Sequence, residues 1–301
     1  MSLLALIAAA TLNASGQEAA PPNPQEAPLT LDEVVVEGAR LETLTRQFVE
    51  EVGAPPRRRG LARWRDPICV GVVNIRHEIA QAIADRISQV ALEYGVAPRE
   101  PGCRPNVLVV FAEDAAAMAR EMVDRRRRIF DFGVGGFERG DLALEDFRGS
   151  DQPVRWWHVS VPVDAYTGAI GIRVPGGDAP VVTGDGLVNR GRWLRDDLNK
   201  VIVVVDASGL GDVPLPQLAD YIAMVSLAQV DPDGRTERFD TILNLFSADG
   251  AATGLSDWDR AYLQALYSGP SERIRDSDQT RELLRSLRRV RERQEAGSTA
   301  P

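Results

Sequence analysis

The side chains that could do chemistry are concentrated in one short stretch, VRWWHVSVP at residues 154–162. His158 is one of two histidines in the chain, and Ser160 follows on the same face of a predicted strand. Serine and histidine together suggest nucleophilic hydrolysis, but a triad needs a third partner, and no G-x-S-x-G elbow is present. Catalysis through this pair is therefore not expected.

Aromatic side chains make the same stretch a candidate binding surface. In one interpretation, the rings of Trp156, Trp157, Tyr166 and Trp193 line a cleft for an extended peptide. The alternative is that they pack in the core. The other histidine, His77, stands at a predicted helix start, where a solvated first turn is the simpler interpretation.

The histidine count also limits metal chemistry. Catalytic zinc needs three protein ligands and an open position for water. Two histidines cannot form a three-histidine site. The sequence therefore predicts no metal and no cofactor.

Cys69 and Cys103 are the only cysteines, and each lies at the edge of a predicted strand. In an oxidising compartment they could form a disulfide worth about 3–4 kcal/mol on the chain-entropy model. Two buried thiols are the alternative. A catalytic cysteine is not expected, because neither has an evident histidine partner.

The N-terminus favours an oxidising compartment. Residues 2–12 form an apolar run too short to span a bilayer but typical of a secretory signal, and small residues follow at 14–16. We expect a signal peptide at residues 1–16, although no Lys or Arg precedes the run, and a mature protein in the periplasm or secreted, with no transmembrane segment. The net charge of −9 argues against nucleic-acid binding.

A linker and N-terminal arm are predicted at residues 17–66. Within the arm, LDEVVVEGARL at residues 31–41 resembles the short extended segment near the N-terminus of TonB-dependent outer-membrane receptors. The resemblance implies a strand that adds to a partner's sheet. An ordinary edge strand or mobile arm is the alternative. A short helix is expected over residues 42–52.

The pattern of the remaining chain predicts one main α/β (α+β) domain, residues 67–268, with a mixed sheet packed against long helices. Strands are expected at 68–73, 107–111, 154–162, 169–174 and 201–205, and helices at 79–94, 115–128, 217–229 and 255–267. Surface loops are expected at 132–137 and 176–186. The tail, 269–301, should carry an amphipathic helix that docks on the domain or on a partner.

Residues 66–268 resemble the metzincin zinc peptidases, especially the matrixin-like ones, and the specific part of the resemblance is residues 216–267. Those enzymes have a helix with H-E-x-x-H-x-x-G-x-x-H, a turn containing Met, and a helix of the type L-x-x-D-D-x-x-A-I-Q-x-L-Y. LSDWDRAYLQALY at residues 255–267 fits the last pattern. Similar stretches, ICV…GCxPNVLVVF and LADYxAMVxLAQ, occur in a bacterial group of exported proteins, a resemblance that implies no activity.

The resemblance implies a scaffold without the metal ligands. Ala219, Ala223 and Gln229 occupy the histidine positions, and Asp220 occupies the position of the general base. Ser226 replaces the motif glycine and Leu243 the methionine. Methyl and amide groups cannot hold catalytic zinc, so zinc peptidase activity is not expected.

Three functions follow. The first is a non-catalytic exported protein, a pseudo-peptidase scaffold that binds a polypeptide or envelope partner through Trp156, Trp157, His158, Tyr166 and Asp220. The second is a hydrolase of another class that uses Asp206, Asp220 or His158 in the same cleft. The third is an assembly accessory to a TonB-dependent system. The sequence does not determine the oligomeric state.

Overall fold

The computed structural model describes residues 31–55, 60–130, 139–172, 181–184, 187–190, 194–247, 252–268, 281, 283–290 and 292–293, with only the backbone for 31–41, 181–184 and 187–190. By contacts the chain divides into two units, Met1–Ala39 and Arg40–Pro301. In the first unit, the described residues 31–39 are helical. In the portion that is described, no helix has the length and apolar character needed to cross a membrane.

Six α-helices and six strands are named in chain order. The helices are α1 Leu31–Val52, α2 His77–Glu93, α3 Ala115–Phe130, α4 Asp141–Gly149, α5 Leu215–Leu227 and α6 Asp257–Ser268. The strands are β1 Val70–Val73, β2 Val107–Ala112, β3 Val154–Asp164, β4 Val181–Gly184, β5 Leu187–Arg190 and β6 Leu194–Asp206. A 3-10 helix spans Ile242–Phe246.

The main sheet has the strand order β1-β2-β6-β3. Strands β1, β2 and β6 are parallel, whereas β3 runs antiparallel to β6. Residues 201–205 of β6 are all apolar and fully buried, as expected for a strand with both faces covered. The predicted α/β class with a mixed sheet in a single main domain is confirmed.

Helices cover the two faces of the sheet with separate cores. On one face, α2 and α5 pack against Val201, Val203 and Val205. On the other, α3 and α4 pack against Ile202 and Val204. The alternation of β6 side chains therefore defines two layers of helices, and the antiparallel strand β3 contributes to both.

Two predicted elements are wrong. Residues 31–41 are not a strand: they continue as helix α1 into the predicted helix over residues 42–52. Phe48 and Val52 pack the second half of α1 into the core. Extending a helix from a packed turn costs little free energy, and this outweighs the preference of three valines for strands. Likewise, the loop predicted at 176–186 contains β4, which pairs with β5 in a hairpin.

The remaining predictions have different outcomes. Cys69 and Cys103 form a disulfide. The predicted strand at 169–174 is reduced, in its described part, to a bridge between Val163 and Ile170. In the tail, the helical residues 283–290 bury Leu283 and Leu287 in the main core, so the tail helix docks on the domain. The glycine-rich loop at 132–137 and the predicted signal at 1–16 lie outside the described residues.

Candidate functional site

Helix α5 carries the positions at which the peptidase resemblance would place zinc ligands. Every residue from Leu218 to Leu227 is buried, which makes α5 a core helix rather than a surface helix. Ala219 and Ala223 are members of the main hydrophobic cluster, and Ala223 has no exposed surface. At these two positions the helix therefore packs against the interior.

Asp220, at the general-base position, is held by two structural bonds. Its Oδ1 accepts a hydrogen bond from Arg86 Nε of α2 at 2.5 Å, and its Oδ2 accepts one from Leu255 N at 3.1 Å. The carboxylate thus joins α2, α5 and the segment before α6. Asp220 lines neither of the two cavities described below.

The buried side chain of Gln229, at the third ligand position, forms hydrogen bonds to two separate segments of the chain. Its Oε1 accepts a hydrogen bond from Ala62 N at 2.6 Å, and its Nε2 donates one to Ser160 Oγ at 3.2 Å. Both ends of the amide are therefore satisfied inside the protein. The amide joins β3 to the segment that precedes β1.

Two further side chains of β3 point toward α5 and the chain after it. Trp156 Nε1 donates a hydrogen bond to the carbonyl of Val230 at 3.0 Å, and the Trp156 ring packs edge-on against Tyr221. His158 Nε2 lies 2.7 Å from the carbonyl oxygen of Val225. A ring nitrogen this close to a carbonyl oxygen must carry a proton, so Nε2 is the donor.

Burial determines the charge of His158. The side chain is buried between β3 and α5, and desolvation lowers its pKa to about 4, against the smaller opposing effect of its backbone hydrogen bonds. The imidazole is neutral at neutral pH with its proton fixed on Nε2. A general base must reach a substrate proton, and this nitrogen already donates to the backbone.

The other face of β3 points toward α3 and α4. Trp157 Nε1 donates a hydrogen bond to the carbonyl of Phe130 at 3.0 Å. Arg155 Nη1 lies 3.4 Å and 3.5 Å from the carbonyl oxygens of Phe147 and Arg148, at the end of α4. Both tryptophans are thus core residues with satisfied indole groups, but each also forms part of a cavity wall.

Two cavities adjoin at the N-terminal half of β3. The first has a volume of about 280 Å³, and its walls include Arg155, Trp156, Trp157 and His158. The second, about 190 Å³, extends toward the 3-10 helix and is bounded by Tyr221, Leu243 and Phe246 among others. Gln152, Trp156 and Pro232 line both cavities. We call the pair the Trp156 groove.

The remaining candidates lie elsewhere. Tyr166 is 64% exposed in the turn after β3 and lines neither cavity. Asp206 accepts hydrogen bonds from Ser208 Oγ and from backbone amides, and these bonds, the Ser208 hydroxyl first, lower its pKa. His77 is exposed, as predicted. Trp193 lies outside the described residues.

The structure does not bring the predicted hydrolase residues together. No contact joins Asp206, Asp220 and His158 to one another within the described chain. Within the same residues, no group of three or more His, Cys, Asp or Glu side chains is placed to hold a metal.

Known proteins offer no match. No family model, no curated protein and no solved structure matches the chain.

Sequence reasoning missed the groove residues that come from loops and from α4. Gln152, Pro232 and Asp146 carry no motif, and only the folded chain brings them near β3. Arg155 did carry a signal: a charged residue between apolar neighbours in a strand that is otherwise buried. Buried arginine needs a compensating partner, which could have drawn attention to this position.

Proposed function

We propose that this chain is an exported, non-catalytic binding protein that holds a polypeptide in the Trp156 groove. The observation that carries the proposal is the contrast between α5 and the groove. Side chains at the positions of catalytic groups are engaged in interior contacts, whereas the neighbouring groove offers open volume with aromatic and polar walls.

The shape and chemistry of the groove favour a short peptide segment. Two cavities in series, of about 280 and 190 Å³, provide separate places for neighbouring side chains. The walls combine aromatic rings with polar and charged groups that can fix the orientation of a bound ligand. Trp156 stands at the junction, where an aromatic anchor would contribute most to affinity.

We further propose that the scaffold derives from a metzincin-like peptidase and works in the periplasm or outside the cell. The order of elements supports the first part: β3 is an edge strand of the described sheet, and β6 leads to a helix beneath that sheet. The disulfide between Cys69 and Cys103 supports the second.

No specific observation favours the hydrolase alternative. Asp220 is paired with Arg86, His158 donates to a backbone carbonyl, and Asp206 caps the turn that contains Ser208. An enzyme of that kind would need these groups to face one cavity.

The test is direct binding of short fluorescent peptides to the purified protein, measured by anisotropy. We expect peptides with micromolar affinity and a loss of at least about tenfold in Gln152→Trp, since an indole there would fill the junction of the cavities. The matched control is Gln81→Trp, another exposed glutamine, on α2 and outside both cavities. A peptide panel without any binder, or equal losses in the two variants, would contradict the proposal.

A further inference from the structure

Arg155 lies in the wall of the first cavity with unused hydrogen-bonding capacity. The side chain is only 4% exposed. Its Nη1 makes two long hydrogen bonds to carbonyl oxygens at the end of α4. Its Nε is buried and meets no acceptor among the described residues. A guanidinium has five N–H donors. The buried Nε is out of a ligand's reach, but the two N–H groups of Nη2 make no hydrogen bond to a described residue and are the donors available to a ligand.

The positive charge of Arg155 is only partly compensated by the protein. The C-terminal end of α4 carries partial negative charge, and Asp206, Asp114 and Asp151 attract the guanidinium from a distance without an ion pair. Burial lowers the pKa of Arg155. An incompletely paired buried cation is costly, so a negative group entering the cavity would be stabilised there.

The rim of the same cavity has the opposite charge. Asp146, Asp151 and Asp233 line it, are exposed, and form no ion pair with any described side chain. Arg139, the other cation of the lining, is paired with Asp231 at 3.0 Å. The cavity therefore combines a cationic wall with an anionic rim.

We propose that the first cavity binds a zwitterionic group: a carboxylate on Arg155 with a cation beside it on the rim aspartates. A carboxylate can accept two parallel hydrogen bonds from a guanidinium. Trp156 and Trp157 provide apolar wall for an aliphatic stem between the charges. A multivalent anion such as phosphate lacks the cation and is repelled by the rim.

This chemistry has two sources. One is the C-terminal Arg or Lys of a polypeptide, which rests on the proposed function. The other is free basic amino acid. The cavity volume of about 280 Å³ is slightly below the usual range for small-molecule pockets, which fits one residue rather than a longer ligand.

The experiment uses the wild-type chain and three fluorescent peptides of one sequence, ending in Arg with a free carboxylate, in Arg with an amide, or in Gln with a free carboxylate. We expect the first to bind at least about tenfold more tightly than each of the others. Calorimetry with free arginine tests the second source. Equal affinity of all three peptides would overturn the subsite but leave polypeptide binding intact. Binding of arginine without any peptide would support the subsite and contradict the proposed function, and no binding at all would contradict both.

Variants assign the effect to Arg155. Arg155→Gln should remove the preference for a free carboxylate, and Asp151→Asn, at an exposed position, should weaken only the preference for Arg over Gln. The matched control is Arg148→Gln: its Nε is also buried without a partner, but it pairs with Asp124 and Glu145 and does not line the cavity. An equal effect of Arg148→Gln and Arg155→Gln would overturn the assignment.

Discussion

The polar side chains on the two faces of β3 differ in how completely they are hydrogen-bonded. Toward α5, Trp156 and His158 donate to backbone carbonyls and Ser160 accepts from Gln229. Toward α3 and α4, Trp157 is satisfied, but Arg155 keeps a buried donor without an acceptor. On one face of β3 the polar side chains are therefore hydrogen-bonded within the protein, and on the other face a buried cation is incompletely hydrogen-bonded.

This contrast indicates which face of β3 is available to a ligand. A buried polar group with complete hydrogen bonds stabilises the fold and loses by exchanging them for a ligand. A group with unmet donors costs stability and gains from a ligand. The α5 face is thus structural, although the peptidase resemblance would place catalytic groups there, and the donors that remain available lie around Arg155.

Ala223→His is the substitution with the largest expected effect. Ala223 has no exposed surface, so an imidazole would overpack the core and bury polar nitrogens. We expect a loss of about 4 kcal/mol in the free energy of unfolding, measured by urea denaturation. Ala117→His, on the exposed side of α3, should cost less than about 1 kcal/mol. If Ala223→His left the stability unchanged, α5 would border open space, and the contrast between a structural α5 face and an available Arg155 face would be wrong.

Gln229→Leu should cost about 3 kcal/mol, because it leaves the buried amide of Ala62 without an acceptor and removes the hydrogen bond to Ser160. Thermal or urea unfolding measures the loss. Gln152→Leu, at an exposed position, serves as the control and should stay within about 0.5 kcal/mol of wild type. Similar stability of the two variants would mean that the buried hydrogen bonds of Gln229 do not stabilise the fold.

His158 should make the fold sensitive to acid. Folding lowers its pKa from 6.5 to about 4, so on acidification the unfolded chain takes up this proton first. Its contribution is fully present above about pH 6.5 and is lost as the pH falls toward 4, a change of about 3 kcal/mol. Unfolding curves across this range should show the slope in wild type and a shallower one in His158→Gln. An unchanged slope in the variant would rule out His158 as its source.

Arg155→Met should have the smallest effect on stability. Because the guanidinium is buried with incomplete bonding, an apolar side chain of similar length should change the free energy of unfolding by less than about 1 kcal/mol, or increase it. The comparison with Gln229→Leu is the sharpest test of the two faces of β3. A loss of about 3 kcal/mol in Arg155→Met would show that its donors are satisfied after all.

Much of the architecture could be predicted from local pattern. The apolar run at 201–205 and the helical spacing at 217–229 predicted a buried strand and a helix, and both are present. The strand predicted in the N-terminal arm was wrong because the prediction gave three consecutive valines more weight than their helix-forming neighbours. The candidate site was harder: Tyr166 is exposed in a turn, and the tryptophans are at once core residues and cavity walls.

The types of side chain were evident from the sequence: two histidines, two cysteines, and methyl and amide groups where the resemblance expects metal ligands. Which polar groups have hydrogen-bond partners became known only from the folded chain. Hydrogen-bond partners such as Ala62 and Gln229 are 167 residues apart in the chain, and no local pattern encodes that distance. The unmet donor of Arg155 likewise depends on how α4 ends beside β3, which is a property of packing.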